Sequence, residues 1–388
     1  MNKSCCPPQR DQTTAEPPSC CSSKSAAASC CPPTVDRERP GYRLQAYVSD
    51  WLQTPIGEIP QVATTLTASD RRGALQMRWG MGRDHYTVAP GLYAVGHPQA
   101  EAPVLVSANY KLSFDALRKE LREIDAWILV IDTKGINVWC AAGKGTFGTA
   151  EITRRVKSAN LSKVVNHRRL ILPQLGAPGV AAHKVAAGCG FKIVYGPVRA
   201  RDLPAFLQAE CKATAAMRRV SFTTWERLIL TPVELMMMTK VSAWILLGLV
   251  LLGGIGPADF SLHGIWSRGL VAAAVYLAGL VAGAVVTPVL LPWVPGTALA
   301  LKGCLVGLAT ALIPCGIFVN QLGMLHSFAL ILALSAVASY CAMNFTGSTT
   351  YTSPSGVGKE MRVAIPLQAL AVLLAGISWF WGTFSTRL

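Results

Sequence analysis

The sequence predicts two unlike parts: an α/β domain built on a parallel sheet, and a C-terminal all-α membrane domain of five helices. Two observations carry this. Between about residues 104 and 216, apolar strand-like runs alternate with helix-like stretches, the pattern of a parallel sheet covered on both faces. Beyond Lys240 the charge runs out: none stands between Lys240 and Asp259, Arg268 and Lys302, Lys302 and Lys359, or Arg362 and Arg387. Charged residues are 15% of the chain and apolar residues 51%, against roughly one quarter charged in soluble domains.

Taken in order, residues 1–40 form a Pro-, Ser-, Ala- and Cys-rich tail that is expected to be disordered. It holds three vicinal pairs, Cys5-Cys6, Cys20-Cys21 and Cys30-Cys31. Residues 41–216 are assigned to the α/β domain. Within it, 41–100 suggests short strands and turns. "PVLVSANY" reads as a buried strand, and "SFDALRKELREI" as a helix opened by Ser113 as N-cap. "AWILVIDT" is the next strand, and "TAEITRRVKSANL" a long helix after a loop. "RLILPQ" and "FKIVYG" are two further strands, with helices in "GVAAHKVAAGC" and "ARDLPAFLQAEC". This is a Rossmann-like alternation, in which ligands sit at the carboxyl ends of the strands.

Residues 217–240 are expected to be an amphipathic juxtamembrane linker, with "VELMMMTK" at the interface. The membrane domain is 241–388, with spans at about 241–256, 269–291, 298–319, 324–343 and 363–384. A bilayer core needs about 20 mostly apolar residues per helix. The start "MNKSCCPPQRDQTTAEPPSCC" has no apolar signal region. Arg218, Arg219, Arg227, Lys240, Lys302, Lys359 and Arg362 fall on one side of the spans, and Arg268 and Arg387 on the other. The positive-inside rule then gives a multi-pass inner-membrane protein with a cytoplasmic N-terminal domain and an external C-terminus. The net charge of +15 fits juxtamembrane contact with anionic lipid. No nucleic-acid motif accompanies it, so no nucleic-acid partner is expected.

The stretch "GINVWCAAGKGTFGT" (135–149) follows one of the predicted strands. Cys140 lies there on a strand-to-helix loop or in a first helical turn, where free amides and the helix dipole favour a thiolate. The alternative is an inert core cysteine. A phosphate loop is excluded: Gly143-Lys144 is followed by Gly145, with no glycine five positions before Gly143. Gly143, Gly145 and Gly148 match the bare dinucleotide spacing, without the acidic residue that completes it. Cys189 and Cys211 fall in predicted helices and Cys304, Cys315 and Cys341 in spans, where they read as packing residues. The absence of C-x-x-C argues against a conventional zinc or iron–sulfur site. His167 and His183 read as hydrogen-bonded fold residues rather than ligands, and His326 is the main ionisable group within the spans.

"NVWCAAGK" (137–144) resembles the signature of the mercury-methylation corrinoid protein family (HgcA), membrane relatives of the corrinoid iron–sulfur protein. "PVLVSANYKLSFDALRKEL", "AWILVIDTKGINVWCAAGKGTFGT", "HRRLILPQLGAPGVAAHKVA", "VYGPVRARDL" and "NFTGSTTYTSPSGVGKEMR" resemble further family blocks in the expected order, over roughly residues 100–388. The tail departs from the family pattern. The resemblance implies a corrinoid-binding α/β domain with Cys140 as catalytic residue and lower axial ligand of cobalt. Asn137, Val138, Trp139, Ala141, Ala142, Gly143 and Lys144 would line the lower face of the cofactor. The cobalamin loop D-x-H-x-x-G is missing, since Asp84-His85 has the wrong spacing.

The chemistry implied is a corrinoid-dependent methyltransferase that passes a methyl group from cobalt to Hg(II), forming methylmercury. Mercuric ion is an electrophile and needs a methyl group of carbanion or radical character. A thiolate donates more strongly than imidazole and pushes density toward the upper ligand, as thiolate does for haem iron. The family implies a small ferredoxin partner with two [4Fe-4S] clusters (HgcB-like) as electron donor. A methyltetrahydrofolate-type compound, or its methyltransferase, would be the methyl source. Cys5, Cys6, Cys20, Cys21, Cys30 and Cys31 are candidate Hg(II) ligands, because soft thiolates select soft metals. The alternatives are a corrinoid methyl carrier of one-carbon metabolism and a membrane carrier of soft metal ions.

Overall fold

A computed structural model describes residues 45–82, 85–256, 260–345, 351 and 354–385. The cysteine pairs of the tail and Asp84 lie outside the described residues. Seven strands form one sheet: β1 (Val48–Thr54), β2 (Gly57–Val62), β3 (Gly91–Val95), β4 (Val104–Ala108), β5 (Ala126–Ile131), β6 (Arg169–Leu172) and β7 (Lys192–Tyr195). Their order is β1-β2-β3-β5-β4-β6-β7.

The four strands read as apolar runs, β4 to β7, pair in parallel. Every residue of β4 and β5 is buried, as strands covered on both faces require. The first three strands make the sheet mixed rather than purely parallel. β1 and β2 are a hairpin closed where Thr54 pairs with Gly57, and so are antiparallel. β3 runs antiparallel to β5. The chain passes from β3 to β4 through residues 96–103 alone, and a parallel return needs a crossover of about a dozen residues or more.

Helix α1 (Ala68–Arg78) precedes β3, and α2 (Lys111–Arg118) follows β4. The start of α2 corrects the reading of Ser113 as N-cap. The helix begins at Lys111, with Tyr110 at the cap position and no side-chain cap. The Lys111 amide donates to Tyr86 O at 3.1 Å. Its ammonium is drawn inward between Asp70 (2.5 Å) and Asp115 (2.7 Å), while Arg118 meets the same two carboxylates at 2.8 Å each. Arg118 is fully buried, and buried charge is tolerated because it is paired. This four-charge cluster ties α1 to α2.

Helices α3 (Val138–Lys144), α4 (Thr149–Ser158), α5 (Ala182–Cys189) and α6 (Leu203–Gln208) complete the domain. The main core joins Val106, Leu129, Ile131 and Leu172 of the sheet to Ala141, Ile152 and Val185 of the helices.

Among the described residues five helices are long and apolar enough to cross a membrane, and each contains or overlaps one predicted span: α7 (Thr224–Gly253), α8 (Leu262–Leu290), α9 (Leu299–Ile317), α10 (Gly323–Asn344) and α11 (Gly356–Ser385). α7 starts inside the stretch expected as a linker. Thr223 and Glu226 form a capping box there, and the helix runs unbroken to Gly253. α9 and α10 lie side by side: a Cβ on Gly303 would stand 2.5 Å from Ala338 O, and one on Gly307 2.7 Å from Leu334 O. Glycine at both contacts lets the backbones approach, as in membrane helix pairs generally.

Candidate functional site

The chain leaves β5 at Ile131 and turns sharply before α3. Lys134 and Gly135 both have left-handed backbone, with φ of 56° and 70°. The Lys134 amide donates to Asp132 Oδ1 at 2.9 Å. The loop is held from β4 by Asn109, a buried residue. Its Oδ1 accepts from the Thr133 and Gly135 amides, both at 3.0 Å, and its Nδ2 donates to Asp132 Oδ1 at 3.3 Å. The Thr133 hydroxyl, fully buried, lies 2.8 Å from Asn109 Oδ1 and 2.7 Å from Ile136 O. From α4, Glu151 Oε1 accepts from the Asp132 amide at 3.0 Å.

This frame sets the start of α3. Asn137 is its N-cap, and its Oδ1 accepts from the Cys140 amide at 2.9 Å. The amide of Cys140 is thus satisfied by Asn137 rather than free. Cys140 is half-buried in the first turn. One turn on, Gly143 and Lys144 stand on the same helix face, both exposed. A Cβ on Gly143 would meet nothing within 4 Å, so the space beside that face of the helix is open.

The two alanines face the other way. Ala141 and Ala142 are buried, at 0% and 6% exposure. A Cβ on Gly179 would come 3.0 Å from Ala142 Cα and 2.2 Å from Phe147 O. Close packing against residues 174–179 therefore accounts for the small size of these two residues. The glycines read as a possible dinucleotide pattern have structural roles: Gly145 ends α3 with left-handed backbone, and Gly148 has room for no Cβ beside Gly145 O.

Asn137, Val138 and Trp139 line a cleft of about 310 Å³. It opens at the carboxyl ends of β4, β6 and β7, where Ser107, Pro173 and Pro197 stand, and is bounded by Ser113 and Leu117 of α2 and Leu203 of α6. Trp139 is 38% exposed at its rim. Arg199, also lining the cleft, pairs with Glu226 at the start of α7 at 2.7 Å and reaches Ser221. The cleft meets the first turn of α3, so Asn137 to Trp139 face it while Cys140, Gly143 and Lys144 make the adjoining open face.

Sequence reasoning missed Asn109, Thr133 and Arg199. The first and last stand in "PVLVSANY" and "VYGPVRARDL", whose resemblance was noted without a role for either residue. His167 is a fold residue: its ring lies 2.9 Å from Ala102 O and accepts from the Arg169 amide at 3.2 Å. Cys189 donates to Val185 O at 3.3 Å, and burial raises the Cys211 thiol above its ordinary pKa. Among the described residues no three His, Cys, Asp or Glu side chains gather into a metal-binding group.

Residues 79–207 match the family described as CO dehydrogenase/acetyl-CoA synthase delta subunit. Among individual proteins, the chain is 32% identical over 130 residues to an acetyl-CoA decarbonylase/synthase complex subunit gamma of Methanopyrus kandleri, covering 33% of this chain and 28% of that one. It is 28% identical over 123 residues to the corresponding subunit of Archaeoglobus fulgidus, covering 31% and 26%. It is 29% identical over 120 residues to the corrinoid/iron–sulfur protein large subunit of Moorella thermoacetica, covering 30% and 26%. The chain thus spans little more than a quarter of the length of these relatives. The matched family segment begins after α1 and ends before α7, so it is the part of the sheet domain from β3 to α6, with β5, α3 and the cleft lining inside it, that resembles the CO dehydrogenase/acetyl-CoA synthase delta subunit family.

Proposed function

We propose that the chain is a membrane-bound corrinoid protein that carries a methyl group on cobalt, and that Cys140 would be the side chain that holds the metal. The single observation that carries this reading is the open face of α3. There a half-buried thiol, held by its Asn137-capped backbone, adjoins a bare Gly143 at the carboxyl edge of a parallel sheet. A broad, flat macrocycle needs such a surface, and in sheets of this kind ligands sit at that edge. The similarity of residues 79–207 to a corrinoid protein subunit supports the same reading.

Bound there, a corrinoid would supply a cobalt–methyl bond for transfer. The chain's own residues do the rest. Cys140 would hold the cobalt, Asn137 fixes its backbone, and Asn109 with Thr133 holds the loop that presents both. Trp139 and the apolar cleft wall exclude water from one side.

The finer reading is that the methyl acceptor is Hg(II), which the "NVWCAAGK" resemblance favours and a strong thiolate donor suits. The competing reading is a methyl carrier of one-carbon metabolism, favoured by the similarity to subunits of the acetyl-CoA decarbonylase/synthase complex and of the corrinoid/iron–sulfur protein. Its partners would be a reducing iron–sulfur protein of the ferredoxin type and a methyltetrahydrofolate-type donor. The protein belongs by this reading in the inner membrane, with the sheet domain cytoplasmic.

Two experiments decide. The purified full chain, loaded with corrinoid, is compared with Cys140→Ala by visible spectroscopy. A cobalt–thiolate spectrum lost in the variant supports the donor assignment, and coincident spectra overturn it. A host that does not methylate mercury, given this chain and a ferredoxin partner, then produces methylmercury if the acceptor is Hg(II). If spectroscopy passes and no methylmercury forms, the one-carbon reading stands.

A further inference from the structure

Helix α1 takes no part in the site. It is held firmly from inside. Asp70 belongs to the four-charge cluster, Met77 is buried, and a Cβ on Gly73 would lie 2.4 Å from Tyr86 Oη. Its outer face is therefore fixed in direction as well as exposed. That face and the following turn carry Leu75, Trp79 and Met81, at 58%, 43% and 48% exposure. Arg71, Arg72 and Arg78 are interleaved with them, all exposed, and no carboxylate shares the outer face of the helix. Single exposed apolar residues are ordinary, but a cluster of large ones rimmed by arginine calls for an occupant.

The height of this patch identifies the occupant. A Cβ on Gly80 would lie 3.9 Å from Met236 Cβ on α7. Two residues on, Met238 Sδ lies 3.7 Å from Asn344 Nδ2 at the end of α10. Leu235 and Met238 pack against Leu280, Ala284 and Cys341 of α8 and α10. The uncharged run of α7 that reaches Gly253 begins after Lys240, and Met236 lies one turn before that lysine, on the side of the sheet domain. Met236 thus stands where α7 leaves the hydrocarbon, and the end of α1 stands beside it.

We propose that α1 and its following turn form an interfacial anchor for anionic lipid. Leu75, Trp79 and Met81 enter the headgroup boundary of the bilayer that the five helices cross, and Arg71, Arg72 and Arg78 pair with lipid phosphates. Tryptophan favours this depth, and basic side chains at the surface are attracted by anionic lipid. With α1 locked to α2, the anchor holds the whole sheet domain at one height, independently of what the cleft binds.

The test uses the full chain in lipid nanodiscs of phosphatidylcholine alone or mixed with phosphatidylglycerol. Hydroxyl-radical labelling is read residue by residue at Leu75, Trp79 and Met81. Trp139, an exposed tryptophan of the same domain, is the internal control. With each residue's rate scaled to that of Trp139 in the same sample, the expected result is slower labelling of all three in anionic than in neutral discs, by up to about a hundredfold if three arginine–lipid contacts contribute about 1 kcal/mol each. Reversing Arg71, Arg72 and Arg78 to glutamate removes the gain from phosphatidylglycerol, and high salt does the same to the unaltered chain, so that a folding defect in the variant is not decisive. Labelling of the three that, scaled to Trp139, is the same in both kinds of disc and in detergent overturns the proposal. So does protection that ignores lipid charge and grows with the number of chains per disc, which would make a second copy the occupant.

Discussion

Asn137 Oδ1 accepts a hydrogen bond from the Cys140 amide at 2.9 Å. The residue before α3 thus fixes the backbone of the one on which the proposed chemistry depends. Replacing such a cap by alanine costs about 1 kcal/mol, roughly a fivefold change in an equilibrium. Asn137→Ala is expected to lower corrinoid retention by about that factor while the chain stays folded. Asn137→Ser or Asn137→Asp restores it, since both are good caps. If serine, shorter by one atom, fails to rescue, Asn137 acts by touching the ligand in the cleft and not through Cys140.

The vicinal cysteines of the tail give a separate prediction. Soft thiolates select soft metals, and a tether raises local concentration. Deleting residues 1–35 is expected to weaken capture of Hg(II) at low concentration and leave the corrinoid spectrum unchanged. Binding titrations of the two chains check this, and equal affinities with equal methylation make the tail idle.

The Asp70 cluster sets a pH window. Burial opposes ionisation of Asp70, but hydrogen bonds from Lys111 and Thr67 outweigh it and hold the carboxyl well below its ordinary range. Burial also opposes the charge on Lys111, and its two carboxylate partners raise it above the usual lysine value. A depressed carboxylate stabilises fully above its unfolded pKa of about 4 and loses that contribution as pH falls further; the raised lysine does so below about 10 and loses it as pH rises. Asp70→Asn leaves two buried cations to share Asp115 alone, one positive charge uncompensated, and is expected to cost about 3–5 kcal/mol in that window. The stability difference between the two chains, followed by circular dichroism, shrinks below about pH 4. A constant difference down to the acid limit would contradict the assignment.

Much of this was legible because it is local. The strands β4 to β7 announce themselves as apolar runs, and the five spans as stretches without charge. Cys140 could be placed at a ligand-binding edge because its motif follows one of those runs. The direction of β3 could not be read, since it is decided by the short path to β4 and not by its own residues. Ser113 looked like a cap because the pull on Lys111 comes from Asp70, far back in the chain. The resemblance put the alanines after Cys140 against the cofactor, but both are buried, Ala142 beside Gly179. The start of α7 was a missed local signal, the T-x-x-E of Thr223 and Glu226.

Five spans place the two ends of the membrane domain on opposite sides. With the lysine and arginine bias before α7 and around α9 and α11, the sheet domain is expected in the cytoplasm and the C-terminus outside. A reporter fused after Leu388 is expected to be active only outside the cytoplasm. Cytoplasmic activity would mean that one of the five helices does not cross.

Asn109 offers the sharpest test of how the site is held. Its Oδ1 takes the amides of Thr133 and Gly135, and Thr133 is fully buried. Removing the acceptor leaves both donors without a partner, at about 1–3 kcal/mol for each such buried group. Asn109→Ala is therefore expected to loosen the β5–α3 loop. Amide exchange in a peptide covering 132–137 rises, while exchange in β5 itself changes little, because its ladder to β4 and β3 does not involve the side chain. Corrinoid retention falls with it, since Asn137 and Cys140 are carried by that loop. Asn109→Asp keeps the acceptor but faces Asp132 with a second carboxylate where an amide donated before. Its loop is expected to tighten as the pH is lowered and one of the two carboxylates takes a proton. Exchange at 132–137 that stays at the unaltered level in Asn109→Ala would show that the loop is fixed from Glu151 alone.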